Sequence, residues 1–300
     1  MLRSKLQQII QEPKRAMLAV VGLSAVPFLH LLGLLLILVV TLRKGWREGL
    51  LLVVLAAVLA VLLARFVLHY SAAQILLQTV NLVVLWLLAV LLRATASWQK
   101  VLEAITVVGL IAVIFITHFY PQLVVAWSQT LTANLQQVAH DRPGLMGAID
   151  PKDWQYWVMT FAQIATGLRV LLLLGSGLIS LIMARYLQAI LYNQGGLKPE
   201  LYHWHLNYRV GGLITFLFIA AYIIRTPIWL SAVPVLLLPL LCTGLSLVHY
   251  LTARFKYQFI ILTIFYACTL TIMPQLLFLV MLLGYLDCFI NFRNYFVLKG

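Results

Sequence analysis

Charge is scarce in this sequence. Only 10% of its 300 residues are Asp, Glu, Lys or Arg, where a soluble domain carries roughly a quarter. So few charges cannot solvate a globule of this length, which excludes one or two water-soluble domains. Acids are scarcer still, with 8 Asp and Glu against 21 Lys and Arg and a formal net charge of +13. Cysteine is nearly absent. Cys242, Cys268 and Cys288 are odd in number, contain no CxxC and lie in apolar surroundings, so they read as small buried hydrophobes. No HExxH, phosphate loop, dinucleotide fingerprint or nucleophile elbow occurs. No cofactor or metal is expected, and no catalytic set is visible. No large soluble stretch is there to hydrolyse ATP, so an ATP-driven role needs a partner.

What the chain has instead is grease. Hydrophobic residues make up 63%, and they come in repeated runs near the length that spans a bilayer. The basic residues fill the short gaps between runs, which is the pattern that sets membrane topology rather than a nucleic-acid surface. The expected fold is all-α: a polytopic transmembrane helical bundle, six full crossings with a broken or re-entrant helical segment at each end, about eight spans to a hydropathy scan. Residues 1–300 read as a single integral membrane domain.

The order of segments follows from the breakers. Residues 1–15 are basic and read as a cytoplasmic surface helix, with Leu2, Leu6, Ile9 and Ile10 toward lipid. The apolar stretch 16–41 is too long for a signal core. Pro27 interrupts it and basic residues flank both ends, so a bent hairpin keeps both ends inside. Crossings are expected at 49–65, 75–92, 101–120, 158–184, 210–224 and 228–251. Residues 257–290, broken by Pro274, would make two short helices. Residues 121–155 hold Asp141, Asp150 and Asp153 and form the outer, periplasmic loop. Within it Leu123, Val124, Trp127, Leu131, Leu135 and Val138 recur at helical spacing, as in an amphipathic surface helix. Trp154, Tyr156 and Trp157 make an aromatic belt. Residues 186–208 form a cytoplasmic loop. Only Arg65, Arg142, Lys152 and Arg225 fall in outer segments and Arg169 in a span; the remaining Lys and Arg lie on the opposite face. That places both termini in the cytoplasm of a bacterial inner membrane.

Candidate site residues are the polar ones inside or beside spans. Arg169 lies 16 residues before Arg185, about 24 Å along a helix, in the outer half of the membrane. It either snorkels or pairs with a carbonyl, or it binds an anionic head group or substrate. Asp287 stands six residues before Arg293. It would pair with a basic residue of another loop and pin the terminal helix, or serve as a proton or cation site. Its place near the end of an apolar run argues against deep burial. Asn81 and Gln163 can hydrogen-bond across helices, and Gly175, Ser176 and Gly177 read as packing residues. His203 and His205 form an HxH pair without an evident third ligand, on what reads as an amphipathic re-entry helix.

Three stretches carry a family likeness. Ala184-Arg185-Tyr186-Leu187-Gln188-Ala189-Ile190-Leu191-Tyr192-Asn193, with Gly195-Gly196 and Glu200, Thr243-Gly244-Leu245-Ser246-Leu247-Val248-His249, and Leu283-Gly284-Tyr285-Leu286-Asp287 with Asn291-Phe292-Arg293 resemble signatures of the DUF2232 (YybS-like) family of bacterial integral membrane proteins, in its proteobacterial branch. The likeness spans nearly the whole chain, with Gln194 where the family has proline and Asn291 where it has an acid. The family has no assigned function and a distant likeness to the substrate-binding membrane subunits of energy-coupling-factor importers. That resemblance implies Arg185, Gln188 and Asn193 as candidate positions on the cytoplasmic side.

Two functions stay open. One is a transporter, or its substrate-binding membrane subunit, for a small or lipid-linked, anionic solute, held near Pro27, Pro234, Pro239 and Pro274. The other is a non-transporting scaffold for envelope assembly that holds a cytoplasmic partner by residues 186–208. A lipid-modifying enzyme is a third class, without a catalytic set to support it. Expected partners are membrane lipids and a cytoplasmic protein or ATPase, with no nucleic acid; oligomeric state is not readable from sequence. Arg169, Gln163 and Asn81 converging on a polar cavity would favour transport; a solid bundle would favour the scaffold.

Overall fold

The computed structural model describes residues 2–25, 30–66, 69, 72–141, 151–192 and 196–295. Among the described residues the chain is helical, without a strand. Six of its helices are long and apolar enough to cross a membrane: Trp46–Phe66, Gln74–Thr95, Trp98–Phe119, Asp153–Tyr192, Pro227–Thr252 and Met273–Ile290. The protein is a polytopic helical membrane protein. It divides into two compact units, Met1–Val101 with Gly175–His203, and Leu102–Leu174 with Trp204–Gly300.

The first unit is built on α3 (His30–Lys44). Ile37, Leu38, Val39, Val40, Thr41 and Leu42 are consecutive and all buried, so this helix is covered on every side. α2 (Pro13–Ala25), α4 (Trp46–Phe66) and α5 (Ala72–Thr95) pack against it. α2 and α3 also pack on each other, as two short helices in place of one span; Pro27 itself lies outside the described residues. Gly45, at φ +120, turns α3 into α4 in a conformation that only glycine adopts without strain.

α1 (Leu2–Gln11) corrects one expectation. It does not offer Ile10 to lipid, because Ile10 is buried. Gln7 Nε2 donates to the Leu191 carbonyl at 2.8 Å, and Lys44 Nζ donates to the Gln11 carbonyl at 2.6 Å. Both acceptors are carbonyls in the last turn of a helix, where helical partners run out; the tethered helix turns toward protein.

The second unit is built on α11 (Pro227–Thr252), whose buried Pro234 and Pro239 stay inside a continuous helix. The same unit holds α6 (Trp98–Phe119) from Leu102 on, α7 (Gln122–Asp141), the first part of α8 (Pro151–Tyr192), α10 (Tyr208–Ile224), α12 (Gln258–Thr271), α13 (Met273–Ile290) and α14 (Phe292–Tyr295). Glycine sets how closely helices approach here. A Cβ on Gly284 would fall on the Leu240 carbonyl oxygen, one on Gly244 on the Val280 carbonyl, and one on Gly167 on the Ser231 carbonyl. Ser231 Oγ donates to the Gln163 carbonyl at 2.5 Å and Thr215 Oγ1 meets Tyr285 Oη at 2.7 Å.

The expected count of six long apolar crossings holds, but its membership differs. The 210–224 segment is the 17-residue α10, closed by Arg225 in the left-handed region, a little shorter than the others. At the other end the break falls at Ile272. Pro274 then sits in the first turn of α13, where its missing N–H costs no hydrogen bond, and the following helix keeps 18 residues. The amphipathic stretch 123–138 lies within α7. α8 runs well past both expected ends: 42 residues, about 63 Å. The 186–208 segment therefore begins as helix. It then holds α9 (Leu197–Tyr202), with residues 203–207 outside any helix. The amphipathic helix expected around His203 and His205 is not formed there; His203 caps α9 and His205 sits in the extended link to α10.

Candidate functional site

In the first unit, four elements meet around Glu200. Ser97 starts α6: its Oγ accepts from the Lys100 N–H at 3.4 Å, as an N-cap hydroxyl does. Ala96 before it is left-handed, at φ 48, so the chain reverses sharply between α5 and α6. That turn presents the buried Trp98, whose Nε1 donates to Glu200 Oε2 at 3.0 Å. Arg185, on α8, donates its Nε to the same oxygen at 3.0 Å and its Nη2 to Glu200 Oε1. This is the two-pronged pairing that a planar guanidinium offers a carboxylate.

The network continues inward. Arg185 Nη1 donates to Gln188 Oε1 at 2.6 Å, and Gln188 Nε2 donates to the Leu42 carbonyl at 3.3 Å. Arg93 Nη1 donates to that carbonyl too, at 3.0 Å. Leu42 lies in the last turn of α3, where carbonyls lack helical partners, and side chains of α5 and α8 supply them. Between the α5–α6 turn and α9 lies an open hollow of about 360 Å³, lined by Ala96, Ser97, Trp98, Gln99, Pro199, Glu200 and His203. His203 is exposed on its lip and its Nδ1 pairs with the Pro199 carbonyl at 2.7 Å.

A second network closes the other unit. Asp287 is fully buried, which corrects the expectation of a shallow carboxylate. The apolar run does end close by, yet α14 folds back over it. Arg293 Nη1 pairs with Asp287 Oδ2, and His205 Nδ1 lies 3.2 Å from the same oxygen. The Phe292 N–H donates to Oδ1 at 3.0 Å. Arg293 Nη2 also donates to the Trp204 carbonyl at 2.7 Å and to Ser246 Oγ at 2.9 Å. Asn291 makes the reversal possible at φ 49, a conformation asparagine tolerates better than most residues. Where a basic residue of another loop was expected, Asp287 takes Arg293, six residues on in its own segment, together with His205 from the link before α10.

Of the sequence-selected residues, Arg185 and Gln188 come together in the network that holds Glu200, though neither lines the hollow. Asn193 lies outside the described residues. Gln163 and Arg169 share α8 but not a face, being about 120° apart around the helix. Gln163 is half-buried and Arg169 exposed; Asn81 is half-buried on α5 in the first unit. None of the three lines the hollow. Gly177 packs against Leu85, as a packing residue should. Among the described residues no group of three or more His, Cys, Asp or Glu could hold a metal.

Sequence reading missed Trp98 and gave Ser246 only as part of a family likeness. A single acid, Glu200, between basic loops was the available signal for the first network. Ser246 gave no signal beyond that likeness, because a Ser in an apolar helix is ordinary. Comparison with protein-family models, with curated proteins and with solved structures finds no match.

Proposed function

We propose that this is a bacterial inner-membrane protein, with both termini in the cytoplasm, that holds a cytoplasmic partner on its basic face. The observation that carries this reading is the braced hollow over Glu200. Arg185, Trp98 and Gln188 fix α9 against the α5–α6 turn, and the lip beside them stays open. Both carboxylate oxygens of Glu200 are engaged, which suits a rigid docking edge better than a group that must release protons. The DUF2232 family that the chain resembles has no assigned function, so the likeness bears on which residues meet and not on the role. Arg185, Gln188 and Glu200, which carry its first signature, meet in one network. Ser246, Asp287 and Arg293, from the other two, meet in the second.

The test is native mass spectrometry of the full chain extracted with its lipids and partners, as wild type and as His203→Glu. The expected result is a stoichiometric cytoplasmic protein on the wild type that the carboxylate added to the lip releases. Equal retention by both, or no retained protein, overturns the docking reading.

Transport of a small or lipid-linked anionic solute is the second reading. The interruptions between α2 and α3 and at Ile272 favour it, because interrupted helices are where transporters place their solutes. A stoichiometric small solute in the same spectra, with uptake by reconstituted vesicles, would select it.

A further inference from the structure

Arg169 is a cation without a partner among the described residues, inside one of the six long apolar helices. It lies about five turns from the start of α8, in a window of mean hydropathy 2.0. Its side chain is exposed, beside exposed Leu168 and Leu172, and no hydrogen bond or ion pair holds it among the described residues. An arginine at such depth needs an anion or a route to water. Among the described residues no acid stands at comparable depth in a helix for a second copy to bring to it. Every described acid stands within two turns of a helix end, and Asp287, the most buried, is held by Arg293.

Direction then chooses the occupant. Side chains on a helix lean toward its N-terminus. For Arg169 that is the end bearing exposed Tyr156 and Trp157, the aromatic pair that marks a membrane–water boundary. One turn along that path stands Ala165, too small to obstruct the guanidinium. The geometry points to a phospholipid phosphate, drawn down from the outer leaflet onto Arg169, with acyl chains lying over Leu168 and Leu172. A guanidinium meets phosphate with two parallel N–H donors, which a lysine cannot do. The inference stands apart from docking at the hollow, since it concerns the other unit.

The test uses the full-length detergent-purified chain, titrated in native mass spectrometry with phosphatidylglycerol and with the matching diacylglycerol that lacks phosphate. Arg169→Gln should weaken the tightest phosphatidylglycerol site about tenfold and leave diacylglycerol unchanged. Arg169→Lys should lie between, and because it keeps the charge it also controls for folding, checked by equal thermal unfolding of the variants. Equal lipid retention by wild type and Arg169→Gln overturns the inference. So does displacement of the lipid by inorganic phosphate, which would identify a soluble anion, or an Arg169-dependent copurifying membrane protein in place of lipid.

Discussion

Asp287 and Glu200 are both paired acids, yet they should respond very differently to loss of charge. Asp287 sits fully buried against Arg293, so Asp287→Asn leaves a buried guanidinium uncompensated. Breaking such a pair costs about 3–5 kcal/mol, and the variant should unfold at clearly lower temperature in detergent, followed by circular dichroism. Glu200 and Arg185 keep about a quarter of their side-chain surface exposed, 26% and 27%, and solvent softens the loss. Glu200→Gln should cost about 1–3 kcal/mol. Its sharper signature is local: protease cutting near α9 should accelerate while the core melts almost as before. Wild-type cutting rates in Glu200→Gln would mean the carboxylate does not fix α9.

Helix contacts in the second unit depend on where side chains are missing. Gly211 and Gly212 are neighbours on α10 with opposite surroundings. A Cβ at Gly211 would press on Cys288 and Phe289 at 3.0 Å, whereas one at Gly212 meets nothing within 4 Å. Gly212→Ala should therefore be neutral or stabilise by up to about 1 kcal/mol through helix propensity. Gly284→Ala should destabilise by about 1–3 kcal/mol, since the obstacle is the Leu240 carbonyl, part of a backbone that moves only with its helix. Comparing unfolding midpoints of the two variants decides this; equal midpoints would deny that α11 and α13 are in glycine-mediated contact.

At the scale of the whole molecule the claim is topological. The proposed topology puts the basic connections, including the hollow, on the cytoplasmic face and α7 on the other. Alkaline phosphatase fused after Asp141 should be active, and fused after Tyr202 inactive. The reverse pattern would move the hollow outside and remove the docking proposal with it. Loss of the Arg185–Glu200 pair should leave both fusion results unchanged, because charge bias in short connections, not one ion pair, sets orientation.

Much of this was legible because hydrophobic runs and breakers act locally. Pro274 and the long apolar stretches identify helices and roughly where they end from sequence, for a bilayer leaves backbone polar groups little alternative to helix. The candidate site was half legible. Arg185 and Asp287 stood out as charges near greasy runs, but nothing along the chain announced that Trp98 reaches Glu200, 102 residues away, or that Ser246 and Trp204 converge on Arg293. Arg169 stood out equally, yet only the fold could show it facing outward and alone. Sequence by itself determined the helices and the membrane, through local energetics repeated along the chain. Tertiary structure decided which buried charges are satisfied, because that depends on partners brought close only when distant segments pack.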